Sequence, residues 1–487
     1  MNFKTISKYV GYALLVSALF MLFSLGVSLL DGRDSAYGPL LVSFLITAIT
    51  GVFPFIFVRE TKEITLKEGY LIITLSWLLS FVFGMLPYAL WGGPFSLANA
   101  WFESVSGFTT TGSTILDDVE ALPRSLVFWR ASTHFIGGLG VVVFLLLVIP
   151  GTSPVKMRLT NMEVSSLSKG GYAVRANQSV YVFAAVFLAL AVISMLSYWA
   201  AGMPFFDAVC HAFSVCAAGG FSSRTLSIAS FGSPLIEGLT ILFMLLASLH
   251  FGLLFLAVVT RSLRPLNNPV LKFYLSTVAG IVLLMGLTLK IDGCVADWGT
   301  AFRYAGFQTV SIASTTGFSI VDYSTWPRFA NALIVALSLM CGCAGSPSGG
   351  LKADRILLVF KSVNRQIGRV LHPSSVNEVK FGRRTLRDED IYPHLLYILL
   401  FAVLLALSIL LSCAIGVNPH CSFAASVASL SNVGPAIEEL GGFYSFNALP
   451  SAAKFLFSMD MFLGRIEIYP VIAVLAMLFD GQRRRAV

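Results

Sequence analysis

Four short stretches of small and hydroxyl-bearing residues, each holding a glycine, interrupt otherwise apolar sequence: Thr110-Thr111-Gly112-Ser113, Ala218-Gly219-Gly220-Phe221, Thr315-Thr316-Gly317-Phe318 and Asn432-Val433-Gly434-Pro435. They recur at intervals of roughly a hundred residues, once per unit of an internal repeat. A hydrocarbon layer has no water to satisfy free backbone groups, so irregular chain at that depth persists only inside protein or beside a water-filled path. Four such stretches meeting on one axis would line it with peptide carbonyl oxygens, which replace the hydration shell of an alkali cation without adding net charge. Inward-turned carbonyls need backbone angles that glycine adopts freely, which gives a reason for Gly112, Gly220, Gly317 and Gly434. The candidate cation ligands are therefore Thr110, Thr111, Gly112, Gly219, Gly220, Thr315, Thr316, Gly317, Asn432, Val433 and Gly434, with Ser113 offering a further oxygen. Close helix packing is the competing use of such glycines. It explains one stretch better than four at quasi-regular spacing.

The elements that must carry these stretches are membrane helices. Hydrophobic residues make up 56% of the 487 and charged residues only 12%, against about 25% charged in soluble domains. Mean hydropathy is +0.81, and the chain reads as an all-α polytopic membrane protein. Apolar runs from Tyr12 to Leu30 and from Tyr37 to Val58 follow Lys4 and Lys8. The first is nearly bilayer-length and the second follows at once, so the two read as a spanning hairpin and not as a secretory signal.

After the hairpin one order recurs: long helix, half-length helix, glycine stretch, outer connection, long helix. Unit one places its helices at Tyr70 to Trp91, Leu97 to Thr109 and Leu126 to Val148, and unit two at Ser179 to Ala200, Phe205 to Ala217 and Leu235 to Val259. Unit three uses Leu271 to Leu289, Ala301 to Ser314 and Phe329 to Phe360, and unit four Tyr392 to Ile415, Ser422 to Leu430 and Ala452 to Phe479. The half-length helices are too short for a hydrocarbon layer of about 30 Å at about 1.5 Å per residue. The expected division is 1–66 for the hairpin and 67–150, 151–264, 265–390 and 391–487 for four pseudo-repeats around a central pore, with ten full spans and four re-entrant segments.

The net charge of +8 reflects topology. Most of the 33 lysines and arginines fall in stretches that share one side, namely Lys4 and Lys8, Arg59 to Lys67, Lys156 to Arg175, Arg261 to Lys272, Lys352 to Arg387, and Arg483 to Arg485. The opposite connections are acidic, as in Leu116-Asp117-Asp118-Val119-Glu120. Both ends are thus expected on the cytoplasmic side, and nothing calls for nucleic acid. The long charged stretch from Lys361 to Asp390 reads as a cytoplasmic connection, partly an amphipathic helix at the membrane surface. The seven cysteines lie mostly in or beside apolar segments, and Cys341-Gly342-Cys343 is too close for a CxxC metal pair. There is no HExxH, no phosphate-binding GxxxxGK[ST] and no nucleophile elbow in a plausible context, and the six histidines are scattered one to a segment. No enzyme and no cofactor are expected.

Half-length helices entering from outside would aim their C-terminal ends at the centre, each contributing about half a negative charge and favouring a cation. Asp207, near the start of the second, reads as a cap or dipole partner. Glu103, well inside the first, is open between a brace for the loop and an attractor of cations. From Cys341 to Gly350 four glycines and Pro347 interrupt the second helix of unit three, since each glycine costs a helix about 1 kcal/mol and a proline about 3. A static kink and a movable loop both remain open. Arg465 lies about 20 Å along the last helix, where a charge costs about 2.5 to 3.5 kcal/mol or more unless it is paired or faces water. Glu467, two residues on, points to another face; a different acidic partner and a pore-facing position are both open.

With these residues in view, the chain closely resembles the Trk/Ktr/HKT superfamily of potassium transporters, most of all its TrkH-type membrane subunits, over essentially its whole length. The four stretches carry the resemblance, together with His134-Phe135-Ile136-Gly137-Gly138-Leu139-Gly140 opening a second helix and Gly464-Arg465-Ile466-Glu467 in the last. The extra N-terminal hairpin is similar to TrkH-type chains and unlike the shorter Ktr subunit. The resemblance implies potassium and rubidium uptake across a bacterial cytoplasmic membrane, with the ion as substrate. Gly112, where sodium-favouring plant relatives often carry serine, implies a preference for potassium, and the lack of TVGYG implies a less discriminating filter than that of tetrameric channels. It further implies an intramembrane loop under the filter with Gly345, Ser346 and Gly349 as gate positions, Arg465 as an electrostatic barrier in the pore, a homodimer, and a cytosolic ring of TrkA subunits that bind NAD and ATP or ADP. Coupling to protons or sodium stays open, with Glu103, His134 and Glu467 as titratable candidates.

Overall fold

The computed structural model describes residues 2–58, 64–140, 176–372, 378–381, 384–435, 443 and 445–483. Arg59, Lys62, the expected helix end from 141 to Val148, the basic residues from Lys156 to Arg175, and Arg484 and Arg485 lie outside the described residues.

Phe3–Leu30 and Tyr37–Phe57 form the expected hairpin, and both are long and apolar enough to cross a membrane. It is tied to unit one at two levels: Asp34 Oδ2 accepts from the Ser125 N–H at 3.3 Å, and Phe20 packs on Phe135. The first helices of the units are Leu66–Gly84 with its continuation Leu86–Trp91, then Ala176–Ala200, Pro269–Ile291 and Asp388–Ala414. The half-helices follow at Leu97–Phe108, Phe205–Cys216, Trp298–Ala313 and Pro419–Ser431, of 12, 12, 16 and 13 residues. At about 1.5 Å per residue none reaches through a bilayer.

The second helices of units two and four depart from the unbroken spans expected of them, whereas that of unit three is interrupted at the glycine-rich stretch from Cys341 to Gly350. Among the described residues six helices are long and apolar enough to cross alone, or seven when Pro234–Ser248 and Phe251–Val259, bent by 101°, count as one span. In unit three, Arg328–Leu339 stops, a loop follows, and Ala353–Leu371 resumes. In unit four, Ser451–Ile466 ends at Glu467, whose φ of +65° no helix accommodates, and Ile468–Arg483 begins afresh. In unit one, Arg124–Leu139 ends at Gly140 with φ +81°. The break in unit two falls beside the loop at 341–350, where the Cys343 N–H bonds Ser248 O and Gly345 O accepts from the Phe251 N–H, so loop contacts take up backbone groups that a continuous helix would satisfy. The connection after Lys361 is helical only in part. Ala353–Leu371 gives way to a two-stranded antiparallel ribbon, Val379–Phe381 with Arg384–Leu386, in the register Val379 opposite Leu386.

Candidate functional site

All four half-helices end in the same closure. The residue after the last turn takes the left-handed conformation, with φ of 54° at Thr110, 53° at Ala218, 62° at Thr315 and 54° at Asn432. The next N–H then reaches back five residues, from Thr111 to Ser106 O at 3.0 Å, Gly219 to Ser214 O at 2.9 Å, Thr316 to Ser311 O at 3.0 Å and Val433 to Ala428 O at 3.0 Å. This is the Schellman closure, in which glycine usually takes the left-handed place. Threonine or alanine there costs on the order of 1 to 3 kcal/mol and persists only where the surroundings hold it.

One residue further on, Gly112, Gly220, Gly317 and Gly434 again have positive φ, from 78° to 89°. The four stretches close into a ring. An ideal Cβ on Gly112 would stand 2.1 Å from Gly219 O, one on Gly220 2.0 Å from Thr316 O, one on Gly317 2.4 Å from Val433 O and one on Gly434 2.3 Å from Thr111 O. Each glycine thus abuts the peptide oxygen that precedes the next unit's glycine, in cyclic order. All four glycines line one cavity, whose wall continues into Ser113, Ser222 and Ser319.

Most of the hydroxyl and amide groups beside these oxygens brace the ring, whereas Thr110 Oγ1 and Asn432 Oδ1 are buried without a hydrogen-bond partner among the described residues. Thr111 Oγ1 shares a hydrogen bond with Thr109 Oγ1 at 2.8 Å and accepts from Asn432 Nδ2 at 2.8 Å. Thr316 Oγ1 repeats the first contact with Ser314 at 2.8 Å, Ser113 Oγ donates to Gly434 O at 2.9 Å, and Thr315 Oγ1 accepts from the Gly349 N–H at 3.3 Å. The backbone carries the repeat, and the side chains hold neighbouring units in register.

Behind unit one, Arg130 donates to Glu103 at 2.7 Å with both groups buried. Glu103 also accepts from the Ile115 N–H at 3.0 Å, and Arg130 reaches Ser222 O at 3.3 Å and covers the Phe221 ring. Glu103 is therefore a brace for the chain leaving the first stretch. Its replacement by glutamine leaves Arg130 buried without a counter-charge and is expected to cost about 3 to 5 kcal/mol, read as a lower midpoint of thermal unfolding in detergent. Asp207 is structural but caps nothing. It sits in the first turn, accepts from Ser223 Oγ at 2.6 Å and pairs with Arg224 at 2.8 Å. At the N-terminal end of the third half-helix Asp297 does cap, and the Thr300 N–H holds its carboxyl below the ordinary range.

The loop at 341–350 lies on the face of the ring away from that cavity. Ser348 Oγ donates to Ser314 O at 3.0 Å, and a Cβ on Gly349 would stand 2.5 Å from Asn432 Cβ. Gly345, with φ +84°, packs on the His250 ring, and its oxygen accepts from the Phe251 N–H at 3.1 Å, at the break in unit two. Ser346 Oγ donates inward to Cys343 O at 2.7 Å. Arg465 donates to Pro347 O through Nη1 and to Gly137 O at 2.7 Å through Nη2, linking the loop to unit one. The 134–140 segment explains itself here: Gly137 lies against Phe108 O and Gly138 against Ala217, and His134 Nδ1 sits 3.0 Å from Ser214 Oγ, stacked on Phe221.

A family model described as TrkH, cation transport protein, matches residues 40–483. The chain belongs to the TrkH family. Among its relatives, the Trk system potassium uptake protein TrkH of Halomonas elongata is 33% identical, with 98% of this chain and 99% of that one covered. The protein of the same name in Escherichia coli K12 is 30% identical over the same shares. The crystal structure of the potassium transporter TrkH from Vibrio parahaemolyticus superposes with a TM-score of 0.86 at 30% identity, covering 98% and 99% of the two chains. As a TrkH family member the chain is a polytopic helical transport protein and not an enzyme.

Reading the sequence alone missed Arg130, Asp460 and the Arg355–Glu467 pair. The signal for the first two was present: an ionisable residue inside an apolar helix marks either a partner or a function.

Proposed function

We propose that the chain admits potassium, and with it rubidium, across a bacterial cytoplasmic membrane through the ring of peptide oxygens supplied by Thr111, Gly219, Thr316 and Val433 and turned by Gly112, Gly220, Gly317 and Gly434. The observation that carries this reading is the fourfold repetition of a left-handed closure, three times on residues that resist it. Packing alone gives no reason for four units to hold Thr110, Ala218, Thr315 and Asn432 at positive φ. The half-helix C-termini add partial negative charge toward the ring. On this reading the loop at 342–350, with Gly345, Ser346 and Gly349, and the guanidinium of Arg465 obstruct the path below the ring. The relatives' names place them in a potassium uptake system, and the family resemblance supplies a homodimer with a cytosolic TrkA ring and both termini inside.

The test is flux of potassium, rubidium, sodium and lithium through the purified chain in proteoliposomes. Potassium and rubidium are expected to pass and sodium and lithium to lag; equal flux of all four sinks the filter.

One observation favours coupling to protons as a second reading. Asp460 is buried in the span Ser451–Ile466 without an ionic partner among the described residues, and it accepts a hydrogen bond from Ser408 Oγ, itself 2.9 Å from Ser426 Oγ. An imposed pH gradient should then drive rubidium uptake in the unaltered chain and fail to do so with Asp460→Asn. Uptake indifferent to the gradient removes coupling.

A further inference from the structure

Two charged residues outside the ring join the loop to the helix that bears Arg465. Arg355 is the third residue of Ala353–Leu371, the helix that leaves the loop, and Glu467 is the residue at which the last span breaks. Arg355 Nη2 donates to Glu467 Oε1 at 2.8 Å, with the guanidinium 4% and the carboxylate 29% exposed. The guanidinium lies 3.9 Å over the Tyr397 ring, which fixes its plane. Glu467 holds φ +65°, a conformation that a side-chain-bearing residue keeps only when its surroundings impose it.

The segment before Arg355 is fastened to the loop residue by residue. Lys352 Nζ donates to the carbonyls of Ser346, at 3.3 Å, and Ser348. The Ala353 N–H donates to Gly342 O at 3.1 Å. Asp354 Oδ2 accepts from the Ala344 N–H at 2.6 Å. Residues 352–355 therefore grip the loop on one side and, through Arg355, the end of the Arg465 helix on the other. Arg465 in turn holds Pro347 at the loop tip.

We propose that the Arg355–Glu467 ion pair is a latch: two positioning residues that make the loop and Arg465 move as one body, so that the path opens only when the pair parts. This rests on the gate reading given above. A pair that merely stabilises the fold and a latch differ in sign. Loss of the first lowers the amount of folded protein and its flux, and loss of the second raises flux with the ion preference unmoved.

The experiment is rubidium influx into proteoliposomes holding the full chain, with sodium competition measured alongside, for Glu467→Gln, the charge swap Arg355→Glu with Glu467→Arg, and Arg465→Ala. The neutral variant is expected to raise influx about tenfold, equivalent to about 1.4 kcal/mol taken from the closed state, with the rubidium over sodium preference unchanged. The swap is expected to return influx toward that of the unaltered chain. If Arg465→Ala raises influx while Glu467→Gln leaves or lowers it, the latch is wrong and the gate reading stands. If Arg465→Ala raises nothing, both fall. Should Glu467→Gln fail to fold, Arg355→Lys keeps the charge but loses the planar fork; a smaller rise supports the latch and no rise overturns it.

Discussion

Alanine at Gly220 is expected to abolish rubidium influx by a protein that still inserts and folds. The added Cβ would stand 2.0 Å from Thr316 O and 3.2 Å from its carbon, both backbone atoms of the neighbouring stretch. No side chain is there to swing aside, so the Thr316 peptide itself must move. The left-handed φ of 84° adds about 1 to 2 kcal/mol of strain for a residue with a Cβ, and forced repacking adds about 1 to 3 kcal/mol. The displaced oxygen is one of the four that the proposed filter presents, so the loss falls on conduction more than on folding. Influx should drop by roughly a hundredfold or more, which corresponds to about 2.7 kcal/mol or more on the barrier. The same argument covers Gly112, Gly317 and Gly434, whose added atoms would stand 2.1, 2.4 and 2.3 Å from the oxygens of the adjoining units. Gly202 is the control, because its φ of +94° imposes similar strain while nothing lies within 4 Å of an added Cβ. Alanine there should lower thermal stability slightly and leave flux alone. Ring variants that conduct like Gly202→Ala would show that the four glycines serve packing.

The ring was legible because its signals are local and additive. A helix too short for the bilayer, a glycine after it and a hundred-residue recurrence can each be read without knowing any contact. The left-handed residue was not. Thr110, Ala218 and Thr315 are types that avoid positive φ, and what holds them is the reach-back hydrogen bond and the packing of neighbouring units. Nor could the break in the second helix of unit two be read, because Ser248-Leu249-His250 contains neither glycine nor proline and the apolar run looks continuous. In unit four the signal was there but passed over, since Gly464 and Pro470 flank the break at Glu467. The bend at 249 depends on the Cys343 N–H bonding to Ser248 O at 2.9 Å, a contact from nearly a hundred residues away. Glu103 was left open between two roles because its partner Arg130 sits on another helix. Only the distance of 2.7 Å decides for the brace.

Replacing Arg465 with alanine is expected to raise rubidium influx about tenfold or more. Two effects act in the same direction. The guanidinium bonds Pro347 O at the loop tip and Gly137 O of unit one at 2.7 Å, so its removal unties the loop from the opposite side of the ring. On the proposed reading it also faces a passing cation with a full positive charge. Two like charges about 4 Å apart repel by about 4 kcal/mol at an effective dielectric constant of about 20, more than a tenfold change in rate requires. Lysine separates the two effects, since it keeps the charge but cannot bond two carbonyls in a fixed fork. If repulsion sets the barrier, Arg465→Lys stays close to the unaltered rate; if the bonding does, lysine leaks nearly as much as alanine. Shortening the 342–350 loop removes the obstruction itself and should raise influx by a similar factor without Arg465 being touched. Both variants are read against surface-labelled, correctly inserted protein, with sodium exclusion retained because the ring of Thr111, Gly219, Thr316 and Val433 is left intact. Unchanged or reduced influx in both would remove the loop and Arg465 from the ion path and leave them as supports of the ring.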